Sequence, residues 1–314
     1  MTSATPLVGH AADPHVFLVG RPPLGEFLGF VTAQTVGGAA ADIRELSDQW
    51  RAANDHVETL QQSEAGYADD PPVSPLPESL ADLGRETIED SVVQRTFAIV
   101  PIEVGIVELD RLVVWQKKIN LSHVGTLQAR LRQVPSEEEI YRLCLPSPAA
   151  RFDPPTQAQP LGPNAFGFVS PSNDFRVLGT ALVDPSTMSD LPITGMATSV
   201  VAVAVGYGAN LLAAIRANGR LVLNNGSHRA YALRDAGVTH APCLIQNVTR
   251  RDELAVIASG DFEANPDAYL SAPRPPVLRD YFDERLRMIA PVPRLARQLR
   301  VVFNQEALDV PIAS

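Results

Sequence analysis

Residues 221 to 237, LVLNNGSHRAYALRDAG, place anion-gripping side chains at the start of a helix. Leu221, Val222 and Leu223 read as the end of a strand, Asn224, Asn225 and Gly226 as a turn, and Ser227 onward as a helix that stops at Gly237. The first turn of a helix exposes unpaired N–H groups and a partial positive charge, so an acidic residue is the usual stabilising choice there. His228 and Arg229 stand there instead. That choice makes physical sense if an anion sits at the turn, and a phosphate fits best. In this reading Gly226 and the following amides cradle the anion, Ser227 donates a hydroxyl bond, Arg229 forks onto the oxygens, and His228 donates or carries a proton. Asn224 and Asn225 fix the turn or touch a ribose, and His228 and Arg229 are the candidates for a catalytic role. A reading without a ligand competes with it: Ser227 caps the helix, Arg229 pairs with a carboxylate, and His228 is a satisfied histidine.

Two other patterns compete. Gln116, Lys117 and Lys118 follow a strand-like run, where a basic pair could reach a phosphate or lie solvated on the surface. The run from Gly206-x-Gly208 to Asn225 has the outline of a dinucleotide-binding unit. Leu211, however, replaces the third glycine, and Asn224 stands where an acidic ribose ligand is expected. Hydrolase and Walker signatures are absent, and six scattered histidines have no metal-binding spacing. Cys144 and Cys243 form no zinc or redox pattern, and Cys243 within APCLIQNV reads as a buried strand residue.

The elements around the turn follow from periodicity. HVFLVGRPPLGEFLGFV reads as a strand and a helix opened by prolines. Residues 39 to 62 form an amphipathic helix with Ile43, Leu46, Trp50, Ala53, Val57 and Leu60 on one face. A helix near 79 to 93, a strand region at 96 to 110, and a strand and helix over 111 to 131 come next. Ser136 and Glu139 make a capping box. Pro-rich residues 145 to 163 read as irregular. Strands are expected at 198 to 205, 210 to 216 and 221 to 225, with an Asn-Gly turn between the last two, and again at APCLIQNV. Thr249 is expected to cap a helix to about 259, and the remaining chain reads as a helical tail.

The chain has 314 residues, 45% of them apolar, enough for a sizeable core. Its net charge of -10 disfavours binding DNA by counterion release. No signal-peptide pattern or membrane-length apolar run is present, which implies a cytoplasmic protein with no membrane partner.

VLNNGSHRAYALRDAG...APCLIQNV resembles the signature of the ParB/sulfiredoxin fold: strand, Gly-x-(His/Arg)-Arg turn, helix, Gly, strand. Partition ParB proteins have Gly-Glu-Arg-Arg there, sulfiredoxins Gly-Cys-His-Arg and free-serine kinases Gly-His-His-Arg; Gly226, His228 and Arg229 match the last two. The resemblance spans residues 96 to 130 and 198 to 250. It implies an α+β fold, with a ParB/sulfiredoxin-like mixed sheet at 96–250 carrying an irregular insertion at about 132–190. A helical region with a Pro-rich acidic linker (1–95) and a helical tail (251–314) would flank it. It also implies a nucleoside triphosphate, ATP or CTP with Mg²⁺, at the turn, serving a phosphotransferase, an NTP hydrolase, or a non-catalytic gated or structural module. Ser227 stands where sulfiredoxins carry their catalytic Cys, which argues against sulfinic acid reduction. The ParB acidic residue is missing and no helix-turn-helix follows residue 250, which argues against chromosome partition. A homo-oligomer or protein partner would engage the terminal helices.

Overall fold

The computed structural model describes residues 11–147, 154–172, 174–188 and 195–311. They belong to two compact units: Met1–Arg151 with Ala209–Arg294, and Phe152–Gly208 with Leu295–Ser314. The fold is mixed α+β with several sheets.

The chain opens with strand β1 (Ala12–Leu18), helix α1 (Leu24–Gln34) after Pro23, and helix α2 (Ile43–Ser63). Asp42 starts α2 by accepting the amides of Arg44 and Glu45. On the predicted α2 stripe, Ala53, Val57 and Leu60 are buried against Phe17, Phe27 and Phe30, while Ile43 in the first turn is exposed. Next come β2 (Val73–Ser74), α3 (Ala81–Glu89) and α4 (Ser91–Phe97). The single helix expected near 79 to 93 is broken because Asp90 accepts the amides of Val92 and Val93 and starts a new one. Strands β3 (Ile102–Glu108), β4 (Val113–Val114) and β5 (Lys118–Asn120) lead to helices α5 (Leu121–Gln128) and α6 (Glu137–Cys144). Both bonds of the Ser136–Glu139 capping box are formed.

Strands β6 (Gln157–Gly162), β7 (Ala165–Ser170), β8 (Arg176–Val183) and β9 (Val200–Gly206) belong to the second unit. Back in the first unit are β10 (Ala213–Ala217), β11 (Arg220–Asn225), α7 (Ser227–Asp235) and β12 (His240–Asn247). Short helices α8 (Arg251–Ile257), α9 (Gly260–Ala264) and α10 (Asp267–Leu270) and strand β13 (Arg287–Pro293) complete it. Strand β14 (Arg297–Val302) closes the second unit.

The first unit holds a six-stranded sheet, ordered β2-β3-β12-β10-β11-β4, and a three-stranded sheet β13-β1-β5. In the larger sheet β12 runs antiparallel to β3 and parallel to β10, and β11 runs parallel to β4. The β10–β11 hairpin turns at Asn218 and Gly219, both at positive φ (49° and 71°), as a tight Asn-Gly turn requires. The second unit holds the sheets β14-β7-β6 and β8-β9. Among the described residues no helix is long and apolar enough to cross a membrane.

Three expectations are corrected. The region expected as an irregular insertion at 132–190 carries, beyond the anticipated α6, strands β6, β7 and β8 among its described residues, with Pro160 accommodated on β6, which sits at the edge of its sheet beside β7. The tail expected to be helical holds only short helices and then β13 and β14, which pair with β1 and β7. Helix α8 begins after Arg250 rather than at Thr249, because the Glu253 carboxylate accepts the amides of both residues.

Candidate functional site

Strand β11 delivers the chain to Gly226, which turns it into α7 with φ at 88°. A Cβ at Gly226 would lie 2.8 Å from Leu212 Cα and 2.9 Å from the Leu211 carbonyl oxygen, so the turn needs glycine for its conformation and for the close approach. Ala230 and Ala232 are fully buried on α7, and Ser227 is buried without capping the helix. The first intrahelical bond runs from the Ala230 amide to the Gly226 carbonyl at 2.9 Å. The amides of Ser227, His228 and Arg229 therefore have no acceptor within the helix.

Arg229 is 7% exposed. Its Nη1 donates to Asn210 Oδ1 at 2.6 Å, and its Nε has no partner. Among the described residues no carboxylate lies within ion-pair distance of it. The other buried arginines differ: Arg274 grips both oxygens of Asp280 at 2.7 and 2.9 Å, and Arg220 pairs with Asp69 at 2.7 Å. Burial lowers the Arg229 pKa to about 10, so it stays a cation at neutral pH. The neighbouring Cys144 supplies no counter-charge, because burial pushes its thiol up to about 12.

His228 behaves differently from the cation expected. Its Nε2 accepts the Asn120 amide at 3.0 Å, and its ring meets His123 edge-on at 5.1 Å. Loss of water around the ring pushes its pKa down to about 3, with His123, His15 and Arg229 adding repulsion. The imidazole is therefore neutral at neutral pH and carries its proton on Nδ1. Burial also lowers the pKa of His123 and His15. Of the His228–Arg229 pair it is Arg229 that brings charge to the helix start, and His228 is not a proton carrier near neutral pH.

The remaining candidates scatter. Asn225 ends β11 opposite Ala213 at a bulge. The Asn224 side chain accepts from Ser259 Oγ at 3.3 Å and donates to the Ile257 carbonyl at 3.5 Å, so it braces the end of α8. Gln116 lends its carbonyl to the Tyr281 hydroxyl. Lys117 is held by Glu26 and Asp261, each at 2.6 Å. Lys118 lies over the Phe30 ring and bonds to Gln34. None of the three has a bond to the 226–229 turn. The run after Gly208 contains strand β10 where a dinucleotide unit needs a crossover helix, and β9 pairs with β8. Asn120, His123 and Asn210 belong to the corner and were not singled out from the sequence. Asn120 caps α5 by accepting the His123 amide, a signal present in the order Asn-Leu-Ser-His ahead of a helix. Asn210, with φ at 53°, lies in the short segment before β10 and has no such signal.

No family model matches the chain, and no curated protein or solved structure matches it.

Proposed function

We propose that this chain binds a nucleoside triphosphate through its phosphates at the Gly226–Arg229 turn. The observation that supports this reading is Arg229: a guanidinium 7% exposed, charged, with an unpartnered Nε and no described carboxylate, in the first turn of a helix. A phosphate oxygen replacing Asn210 Oδ1 would complete the guanidinium fork and take the free helix amides. The resemblance of Gly226, His228 and Arg229 to nucleotide-holding turns of the ParB/sulfiredoxin fold favours ATP or CTP with Mg²⁺ over a simple carboxylate. His228 is neutral and already engaged by Asn120, which favours a nucleotide-gated or structural module over a phosphotransferase or NTP hydrolase.

Thermal unfolding with ATP, CTP, GTP and a dinucleotide, with and without Mg²⁺, tests this. A ligand at about 100 times its Kd should stabilise by about 2.7 kcal/mol, and Arg229→Met should lose that response while remaining folded. A protein unmoved by every nucleotide, or an Arg229→Met variant that responds like the parent, overturns the reading. Release of inorganic phosphate in parallel assays would make the protein a hydrolase.

A further inference from the structure

Strand β8 is the most anomalous surface of the second unit. Among the described residues it pairs only with β9, in a two-stranded sheet, which leaves its other edge without a strand partner. Leu182 is 78%, Leu178 54% and Val177 47% exposed, and no charged residue or proline occurs from Val177 to Val183. Exposed edge strands usually carry such residues to prevent pairing, and two-stranded sheets are marginal alone. The bulge beside Leu178 leaves Gly179 to Val183 in regular register with β9.

The order of side chains identifies the occupant. Read outward from Thr180, VLGTALV is nearly the same in both directions. Antiparallel pairing of two β8 strands about a two-fold axis at Thr180 sets Gly179 opposite Ala181 and Thr180 opposite itself and, with the bulged Leu178 drawn into the new ladder, Leu178 opposite Leu182 and Val177 opposite Val183. These are the size-matched and Thr–Thr pairs that stabilise neighbouring strands. One position further out Arg176 meets Asp184, so opposite charges close both ends. In the single chain the Arg176 side chain is 53% exposed and has its carboxylate contact with Asp174, at 3.5 Å, and Asp184 caps the Ser186 amide. An isologous contact of this kind uses one patch twice. A chain of net charge -10 meets a second copy through a stretch that carries no charge, whereas an anionic lipid surface would repel it.

We infer that two copies of this chain associate through β8, edge to edge and antiparallel, about a two-fold axis at Thr180. The inference is independent of the nucleotide reading and places self-association on β8 rather than on terminal helices.

Disulfide trapping in the full-length protein tests it. Cα atoms of directly opposed antiparallel residues lie about 4.5–5.5 Å apart, within the range a disulfide spans. Thr180→Cys should give a covalent dimer under mild oxidation. Ser186→Cys, whose two copies would lie on the order of 40 Å apart, should not. The native Cys144 and Cys243 are buried and do not interfere. In sedimentation, Arg176→Glu should weaken the dimer at least tenfold, and Arg176→Glu with Asp184→Arg should restore it. A parent chain that stays monomeric at about 100 µM, a Thr180→Cys variant that does not cross-link, or a dimer insensitive to charge reversal overturns the inference. A monomer that instead sediments with phosphatidylcholine vesicles overturns it in favour of a lipid surface.

Discussion

Acidification should destabilise this protein well above the pH at which most carboxylates titrate, and His228 sets the size of the effect. Its pKa is about 3 in the folded protein against an ordinary 6.5. Above pH 6.5 the ring is neutral in both states and stability is unaffected. Between the two values the unfolded chain binds a proton that the native chain refuses, so stability falls as pH falls, by about 1.36 kcal/mol per pH unit. Going from pH 8 to pH 5 the loss from this one ring is about 2 kcal/mol. His15 and His123 are lowered too and add loss of the same sign. The main structural cause is burial of the ring away from water, with repulsion from His123, His15 and Arg229 added; a second proton would also remove the acceptor for the Asn120 amide. His228→Gln keeps an acceptor oxygen and removes the titration. Urea unfolding of both proteins at pH 8, 7, 6 and 5 should show the variant losing about 2 kcal/mol less than the parent over that span. Parallel curves, or a parent chain that gains stability in acid, would refute the reasoning.

Gly226→Ala should cost about 3 kcal/mol, combining roughly 1–2 kcal/mol for a left-handed non-glycine residue with strain from a Cβ 2.8 Å from Leu212 Cα. Gly125→Ala is its control: that glycine lies in α5 with nothing within 4 Å of a built Cβ, so the same urea measurement should show a gain of roughly 0.5–1 kcal/mol. Asp280→Ala should cost about 3–5 kcal/mol in the same assay, because it strips the carboxylate from Arg274, 1% exposed, and from Arg21, bonded to it at 2.8 Å.

The parts of the fold that could be read in the sequence are those settled within a few residues. The Asn218-Gly219 turn, the Ser136–Glu139 box and the stop of α7 before Gly237 each depend on neighbours in the chain. The misread parts depend on distant partners. Arg294, Arg297 and Arg300 recur at helical spacing, yet β14 forms because Arg297 to Val302 can pair with Ala165 to Ser170, more than a hundred residues earlier. β13 likewise exists through β1 at the other end of the chain. The same limit applies to the corner at α7. Gly226 and the helix start were legible, but the neutrality of His228 depends on its burial, to which Asn120, His123 and His15 from β5, α5 and β1 contribute contact and repulsion.

Arg229 is where stability and function separate. Removing water from a guanidinium costs several kcal/mol, and a charged hydrogen bond to a carboxamide returns only about 1.5–3 kcal/mol. Asn210 is itself exposed, so water can replace the guanidinium on its oxygen. A helix start selected for stability alone would be better served by an apolar residue of similar length, since even complete buried ion pairs replaced by apolar residues are often neutral or stabilising, by about 1–4 kcal/mol. The Arg229→Met variant should therefore be at least as stable as the parent in the absence of nucleotide and lose the nucleotide response. A purely structural arginine predicts the opposite sign, a clear loss of stability without ligand. The urea midpoint without ligand, read beside the nucleotide shift, distinguishes a residue kept for an anion from one kept for the fold.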